Sequence, residues 1–158
     1  MGRLMGVDAG TVRVGIALSD ELGVMARPAA TIPRRGDRGT AEAIRDLARE
    51  AGVDRIVVGL PLSMAGGEQA SSVDARRLAE AIRVATGLPV VTWDERLTTA
   101  AAERSLIESG VRRERRREIV DQVAAAVLLQ GFLDAGAPAP PVPATPSSDD
   151  AADPEEGA

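Results

Sequence analysis

Hydrophobic and polar positions along the first part of the chain predict three strands in succession. Apolar residues are concentrated at 3–8 and 12–19, and the short turn between these runs is typical of a hairpin. A third, weaker run follows at 24–32. Pro28 lies within it and favours an edge strand or a bulge, because proline cannot donate to a sheet ladder.

After residue 40 the pattern changes to helices that alternate with short buried strands. Apolar spacing predicts helices at 40–52, 73–87, 98–110 and 112–136, and strands at 55–61 and 88–95. A meander of strands that leads into βαβ units predicts an α/β fold, with helices on the faces of a mixed sheet. Ligands of such folds bind where strand ends face a crevice.

From Ala137 onward the composition shifts to alanine, proline, serine and acidic residues, which predicts disorder. We therefore expect one folded domain at 1–136 and a disordered tail at 137–158. The chain has no apolar run of about eighteen residues and no secretory pattern, so we expect a cytoplasmic protein without membrane contact.

The residue types that are missing restrict the chemistry. The sequence contains no histidine, cysteine, tyrosine or lysine. A serine–histidine triad, a zinc site and a phosphate-binding lysine are therefore excluded or disfavoured. Catalysis would have to use carboxylates, hydroxyls, backbone groups and arginines. Carboxylates favour hard cations, which points to Mg²⁺ or Mn²⁺.

The net charge of −5 comes from the tail, which holds five of the 24 acidic residues. The part before residue 137 carries as many arginines as acidic residues, so its charge distribution decides what it binds. Two arginine-rich stretches, 112–117 and 33–38, are candidates for phosphate contact, with solvated surface as the alternative. Arginines at a helix start oppose the helix dipole, which favours a partner for 112–117.

Three carboxylates could meet in this fold. Asp8 ends the first strand, Glu95 ends the last strand, and Asp121 lies among apolar residues of the final helix. Gathered together they would repel one another unless a divalent cation neutralised them. Taken singly, each has an ordinary explanation: a turn residue, a partner of Arg96 or helix cap, and a solvated helix residue.

Four segments, "VDAGTVRVGIALSD", "VVGLPLSMAGGE", "TWDERLTT" and "VDQVAAAVLLQGFL", resemble the YqgF/RuvX family in the same order. The resemblance covers about residues 3–134. It implies an RNase H-like fold with a central five-stranded mixed sheet. It also implies metal-dependent cleavage of nucleic acid, linked to processing of the 5′ end of 16S rRNA, with Asp8, Glu95 and Asp121 as catalytic metal ligands.

The resemblance further implies a set of substrate contacts, and the basic segment adds two more. The implied contacts are Arg13, Gly59, Pro61, Gly66, Arg96, Thr98 and Thr99, and the added ones are Arg112 and Arg113. Arginine offers forked donors to phosphate, and glycine allows close approach of a backbone. Arg13 as a surface residue and Thr98 as a helix cap are the alternatives. One departure is Ala65, where the family often has an acidic residue.

The carboxylates favour Mg²⁺ or Mn²⁺, and the resemblance implies a nuclease that uses such a cation and acts on structured RNA, with an rRNA precursor as substrate. One tryptophan and one phenylalanine offer few stacking platforms, so we expect weak sequence preference and strong salt dependence.

A four-way DNA junction is an alternative substrate and would require a symmetric dimer, whereas we expect a monomer or weak homodimer. A non-catalytic ribosome-assembly factor is a further alternative. An actin-like ATPase is disfavoured, because it needs two such domains.

Overall fold

The computed structural model describes residues 2–61, 70–95 and 116–138. In chain order its elements are β1 (Arg3–Ala9), β2 (Arg13–Ser19), β3 (Ala26–Pro33), α1 (Gly36–Ala51), β4 (Val53–Leu60), α2 (Ala70–Thr86), β5 (Val90–Asp94) and α3 (Arg116–Asp134). The predicted helix at 98–110 and the tail beyond 138 lie outside the described residues.

The five strands form one mixed sheet in the order β3-β2-β1-β4-β5. β1, β2 and β3 are antiparallel neighbours, whereas β1 pairs with β4, and β4 with β5, in parallel. The predicted mixed sheet is therefore confirmed. Pro28 lies on the edge strand β3, and the register shifts beside its partner Ala17, so the prediction of an edge strand or a bulge is confirmed.

Helices cover both faces of the sheet. Met5 and Val7 of β1 belong to the buried cluster with Ile44 of α1 and Leu78 of α2. Side chains alternate along a strand, so the intervening β1 residues face the opposite side, where Leu4 packs in a second cluster with residues of α3. Asp8 belongs to this α3 side of the sheet.

The first helix begins four residues before its predicted start and ends at Ala51, one residue before its predicted end. Gly52 closes α1 in a left-handed conformation, with φ of 69°, and its N–H donates to the carbonyls at Ala48 and Arg49. At the other end, the Arg35 N–H donates to the Thr40 hydroxyl over 2.9 Å. Thr40, the first residue of the helix that the sequence predicts, is instead buried inside α1 and supports its first turn.

Two residues of the predicted tail, Ala137 and Pro138, contact the rest of the described structure. The Ala137 N–H donates to the Phe132 carbonyl, and the Arg55 guanidinium donates to the carbonyls of Ala137 and Pro138. Arg55 also lies over the Phe132 ring, 5.2 Å from its centroid. In the described ranges, no helix is both long and apolar enough to cross a membrane.

Candidate active site

Asp8 and Glu95 meet at one edge of the sheet. β1 and β5 both run parallel to the strand between them, β4, so their carboxyl ends lie at the same edge. Glu95 follows β5 two residues after Trp93, whose ring packs edge-on against Phe132 of α3 at 5.2 Å. Both carboxyl groups therefore lie on the α3 side of the sheet, at strand ends of the kind where the sequence predicts a ligand crevice.

The two side chains share a hydrogen bond, and burial makes their ionisation unfavourable. Burial first, then the charge of Asp8, the hydrogen bond and the charge of Asp94 raise the pKa of Glu95 to about 7. Burial and the charge of Asp121 likewise raise the pKa of Asp8, while the bond from Glu95 opposes this. Two carboxyl groups can bond only through a proton, so the bonded pair holds one that Glu95 donates and that is lost as the pH rises through the pKa of about 7.

Asp121 is brought beside this pair by a close approach of α3 to the sheet. A Cβ added at Gly15 would lie 1.8 Å from the Asp121 carbonyl oxygen, so only glycine fits there. Gly15 is the strand partner of Asp8. The same face has a second close approach at Gly6, where a Cβ would lie 2.9 Å from the Ala125 carbonyl oxygen. These two glycines admit the backbone of α3 and place Asp121 next to Asp8.

Asp121 is neutralised differently from the other two carboxylates. The Nε–H of Arg13 donates to Asp121 Oδ2 over 2.7 Å. The Arg13 side chain is 56% exposed and that of Asp121 is 24% exposed. The arginine predicted to contact substrate therefore forms an ion pair with one of the predicted metal ligands.

Gly59 has a clear structural task at this edge. A Cβ at this position would lie 2.7 Å from Glu95 Oε2 and 2.9 Å from Leu128 Cδ2. Its lack of a side chain therefore leaves room for the Glu95 carboxyl group, a role that the sequence did not reveal. The predicted substrate contacts of Gly59 and Pro61, which directly follows β4, remain predictions.

The remaining predicted nucleic-acid contacts lie partly outside the described residues and partly in the 33–38 stretch. Six of them lie outside the described residues: Gly66, Arg96, Thr98, Thr99, Arg112 and Arg113. In the 33–38 stretch, Arg35 is exposed, whereas Arg34 is engaged inside the protein. Arg34 was wrongly grouped with the phosphate-contact candidates, because its guanidinium is held by carboxylates and a backbone carbonyl.

Arg34 joins three elements near the site. Its side chain is 10% exposed and donates to the Gly10 carbonyl over 2.8 Å. The other terminal nitrogen donates to Asp37 of α1 and Asp74 of α2, each over 3.1 Å. The turn that follows Asp8 is thus tied to both helices. Sequence reasoning missed this structural role of Arg34, since an arginine in a polar loop carries no signal of its distant partners.

The carboxylates have the donor chemistry of a hard-cation site, but their ligand set is not assembled. Across 2–61, 70–95 and 116–138, no three acidic, histidine or cysteine side chains group closely enough to hold a metal ion. Asp121 is directed to Arg13, while Asp8 and Glu95 are hydrogen-bonded to each other, which requires a proton on one of them. A cation could replace that proton, because oxygen donors that repel each other when ionised suit Mg²⁺ or Mn²⁺. The residues therefore fit such an ion, provided that Asp121 leaves Arg13.

A sequence model of RuvX, described as Holliday junction resolvase, matches residues 2–135. The chain belongs to the RuvX family. A relative from Moorella thermoacetica is 48% identical over 134 residues, covering 84% of this chain and 94% of the relative. One from Myxococcus xanthus is 44% identical over 136 residues, covering 86% and 90%. Both carry the name "Putative pre-16S rRNA nuclease".

Solved structures support the fold of this RuvX member. Thermus thermophilus RuvC superposes with a TM-score of 0.56 at 15% identity, covering 85% of this chain and 96% of RuvC. The fowlpox virus Holliday junction resolvase gives 0.52 at 13% identity, covering 84% and 99%. These likenesses confirm the RNase H-like fold that the family resemblance implied.

Proposed function

We propose that this RuvX member is a metal-dependent nuclease that hydrolyses phosphodiester bonds of structured RNA, with the 5′ end of pre-16S rRNA as its substrate. The observation that carries the proposal is the hydrogen-bonded Asp8–Glu95 pair at the carboxyl edge of the parallel strands, with Asp121 beside it. The names of the relatives support the choice of substrate. A cytoplasmic location, where rRNA precursors are processed, belongs to the same proposal.

Asp8, Glu95 and Asp121 would hold Mg²⁺ or Mn²⁺. When bound, the ions would supply Lewis-acid activation of water and stabilisation of the leaving 3′ oxygen. Asp8 and Glu95 must first give up their shared proton, so that both carboxylates offer oxygens to the cation. The burial that raises their pKa values thus makes cation binding compete with protons.

Arginines would supply the contacts to the substrate. Arg13 lies at the start of β2, beside Asp121, and is more than half exposed. A guanidinium presents forked donors that match phosphate oxygens, and phosphate contacts make binding sensitive to salt. Recognition would rest on backbone and shape, because the whole chain has one tryptophan and one phenylalanine for stacking.

A four-way DNA junction is the second candidate substrate, favoured by the description of the matching family as Holliday junction resolvase. Cutting a two-fold symmetric junction would require two copies of this site in a symmetric dimer. The two substrates therefore predict different assemblies as well as different products.

The test is cleavage by the purified full chain of a 5′-extended 16S rRNA fragment and of a four-way DNA junction, each with Mn²⁺, Mg²⁺ or EDTA. We expect cleavage of the RNA with either cation and none in EDTA. Cleavage of the junction alone, by a dimer, would replace the substrate with the second candidate. Binding of RNA without cleavage under all conditions would instead favour a non-catalytic assembly factor.

A further inference from the structure

The three carboxylates at the sheet edge have different partners. Asp8 and Glu95 are hydrogen-bonded to each other, whereas Asp121 accepts a hydrogen bond from the charged Arg13 side chain over 2.7 Å. A cation that gathers all three carboxylates must therefore take Asp121 from Arg13. This displacement gives Arg13 a role in the order of binding.

We propose that Arg13 is an exchangeable counter-ion, which neutralises Asp121 until a divalent cation binds there and then turns to a phosphate of the nucleic acid. This inference rests on the proposed function and concerns how the same site is regulated. Arg13 would then contact a phosphate of the substrate only after the cation has bound to Asp121.

The geometry permits the exchange. Asp121 is the fixed partner, because its backbone is pressed against Gly15 in the sheet. Arg13 is the mobile partner: it is the first residue of β2 and its side chain is 56% exposed. The guanidinium can leave Asp121 by rotation of its own side chain, with no movement of the sheet.

Electrostatics favours the exchange once a cation is present. An ion pair between partly exposed side chains is weak, because water screens it and two side chains must be held in place. A divalent cation would be attracted to Asp121 more strongly than the singly charged Arg13 guanidinium, and it would also repel that guanidinium. The released guanidinium would lie beside the cleavage edge, where a phosphate offers two oxygens to its fork.

Competition for Asp121 has a reciprocal consequence. If the cation and Arg13 exclude each other at this carboxylate, removal of Arg13 must strengthen cation binding. If the cation frees Arg13 for phosphate, removal of Arg13 must also reduce the gain in RNA affinity that the cation brings. A static arginine beside Asp121 would also weaken cation binding by repulsion, but its removal would change RNA affinity equally with and without the cation, so the two patterns together identify the exchange.

The first experiment is a Mn²⁺ titration of the full chain without nucleic acid, followed calorimetrically. We expect Arg13→Gln to bind Mn²⁺ about two- to fivefold more tightly than the unaltered protein, the range given by a weak, partly exposed ion pair. The matched control is Arg3→Gln, which removes the first arginine of β1 and its 3.9 Å pair with Glu21. It should leave the Mn²⁺ affinity unchanged. Equal or weaker binding by Arg13→Gln would overturn the inference.

The second experiment measures binding of the 5′-extended 16S rRNA fragment in EDTA and in Ca²⁺. Arg13→Gln should match the unaltered protein in EDTA and bind several-fold more weakly in Ca²⁺. The same loss under both conditions would overturn the exchange and leave a permanent phosphate contact. The Mn²⁺ titration needs no substrate, so its result is independent of whether the cleavage assay succeeds. Cleavage without these Arg13 effects would refute this inference alone.

Discussion

Gly15 and Asp121 are in direct backbone contact, so close that a Cβ at position 15 would lie 1.8 Å from the Asp121 carbonyl oxygen. This contact joins a strand near the start of the chain to a helix near its end. Because Gly15 is also the strand partner of Asp8, it sets the spacing between two of the proposed catalytic carboxylates. A residue without chemistry of its own thereby shapes the site.

Replacing Gly15 with alanine tests this contact. The added methyl group would meet rigid backbone, so α3 would have to move away from the sheet. We expect Gly15→Ala to lower the free energy of unfolding by about 1–3 kcal/mol, as overpacked interiors do, and to reduce cleavage by displacing Asp121. Urea denaturation measures the first effect.

Gly39→Ala is the matched control for that substitution. Gly39 lies inside α1, and an added Cβ would come no nearer than 3.5 Å to the Arg35 Cβ. Alanine should therefore stabilise the helix by about 0.5–1 kcal/mol. Equal stability of Gly15→Ala and the unaltered protein would contradict the close contact.

Gly59→Ala should separate activity from stability. Its methyl group would meet the tips of two side chains, Glu95 at 2.7 Å and Leu128 at 2.9 Å, which can rotate away. We expect a smaller loss of stability than for Gly15→Ala but a large loss of cleavage, because Glu95 must leave Asp8. Thermal melting and single-turnover cleavage of the same preparation decide this. A variant that keeps full cleavage would show that the Glu95 position is not needed.

Much of this arrangement could be predicted from the sequence, because it follows from local patterns. Alternating apolar runs indicated the strands, and the positions of Asp8 and Glu95 at strand ends indicated a shared edge. Gly15 also carried a signal that was open to interpretation: a glycine inside a strand indicates close approach of another backbone. The sequence could not name the approaching segment, which lies over one hundred residues away.

The interactions of the arginines could not be predicted in the same way. Arg13 and Arg34 both appeared as possible phosphate ligands, yet each pairs with carboxylates that are distant in the chain, Asp121 and Asp74. Long-range ion pairs depend on how the elements pack, which no local spacing encodes. The pKa of Glu95 likewise depends on burial, a property of the assembled fold.

Stability in EDTA should depend on pH through Glu95. Its pKa is about 7 in the folded protein, raised from 4.5, so folding favours the protonated form. The resulting stabilisation is fully present below about pH 4.5 and is lost as the pH rises through 7. We expect the melting temperature to fall between pH 5.5 and 8, and to fall less in Glu95→Gln. A steeper fall in that variant would contradict the assignment.

Arg34→Gln should loosen the turn after Asp8. The variant removes the guanidinium that donates to the Gly10 carbonyl and to the carboxylates of Asp37 and Asp74. We expect this loss to lower the free energy of unfolding by about 1–3 kcal/mol. Hydrogen exchange should quicken at the amides of the β1–β2 turn. Arg77→Gln is the control, since Arg77 bonds the same carboxylates but is 63% exposed. An equal effect of both substitutions would argue against a special role for Arg34.

The most direct test of the central claim is single-turnover cleavage of the 5′-extended 16S rRNA fragment by Asp8→Asn in Mn²⁺. The matched control is Asp54→Asn, which changes an exposed aspartate near the opposite end of the sheet. The account predicts that Asp8→Asn folds but loses at least about a hundredfold in rate, as expected for loss of an essential charge-stabilising group, whereas Asp54→Asn cleaves normally. Undiminished cleavage by Asp8→Asn would contradict the account, because the carboxylates at this edge would then not be the catalytic groups.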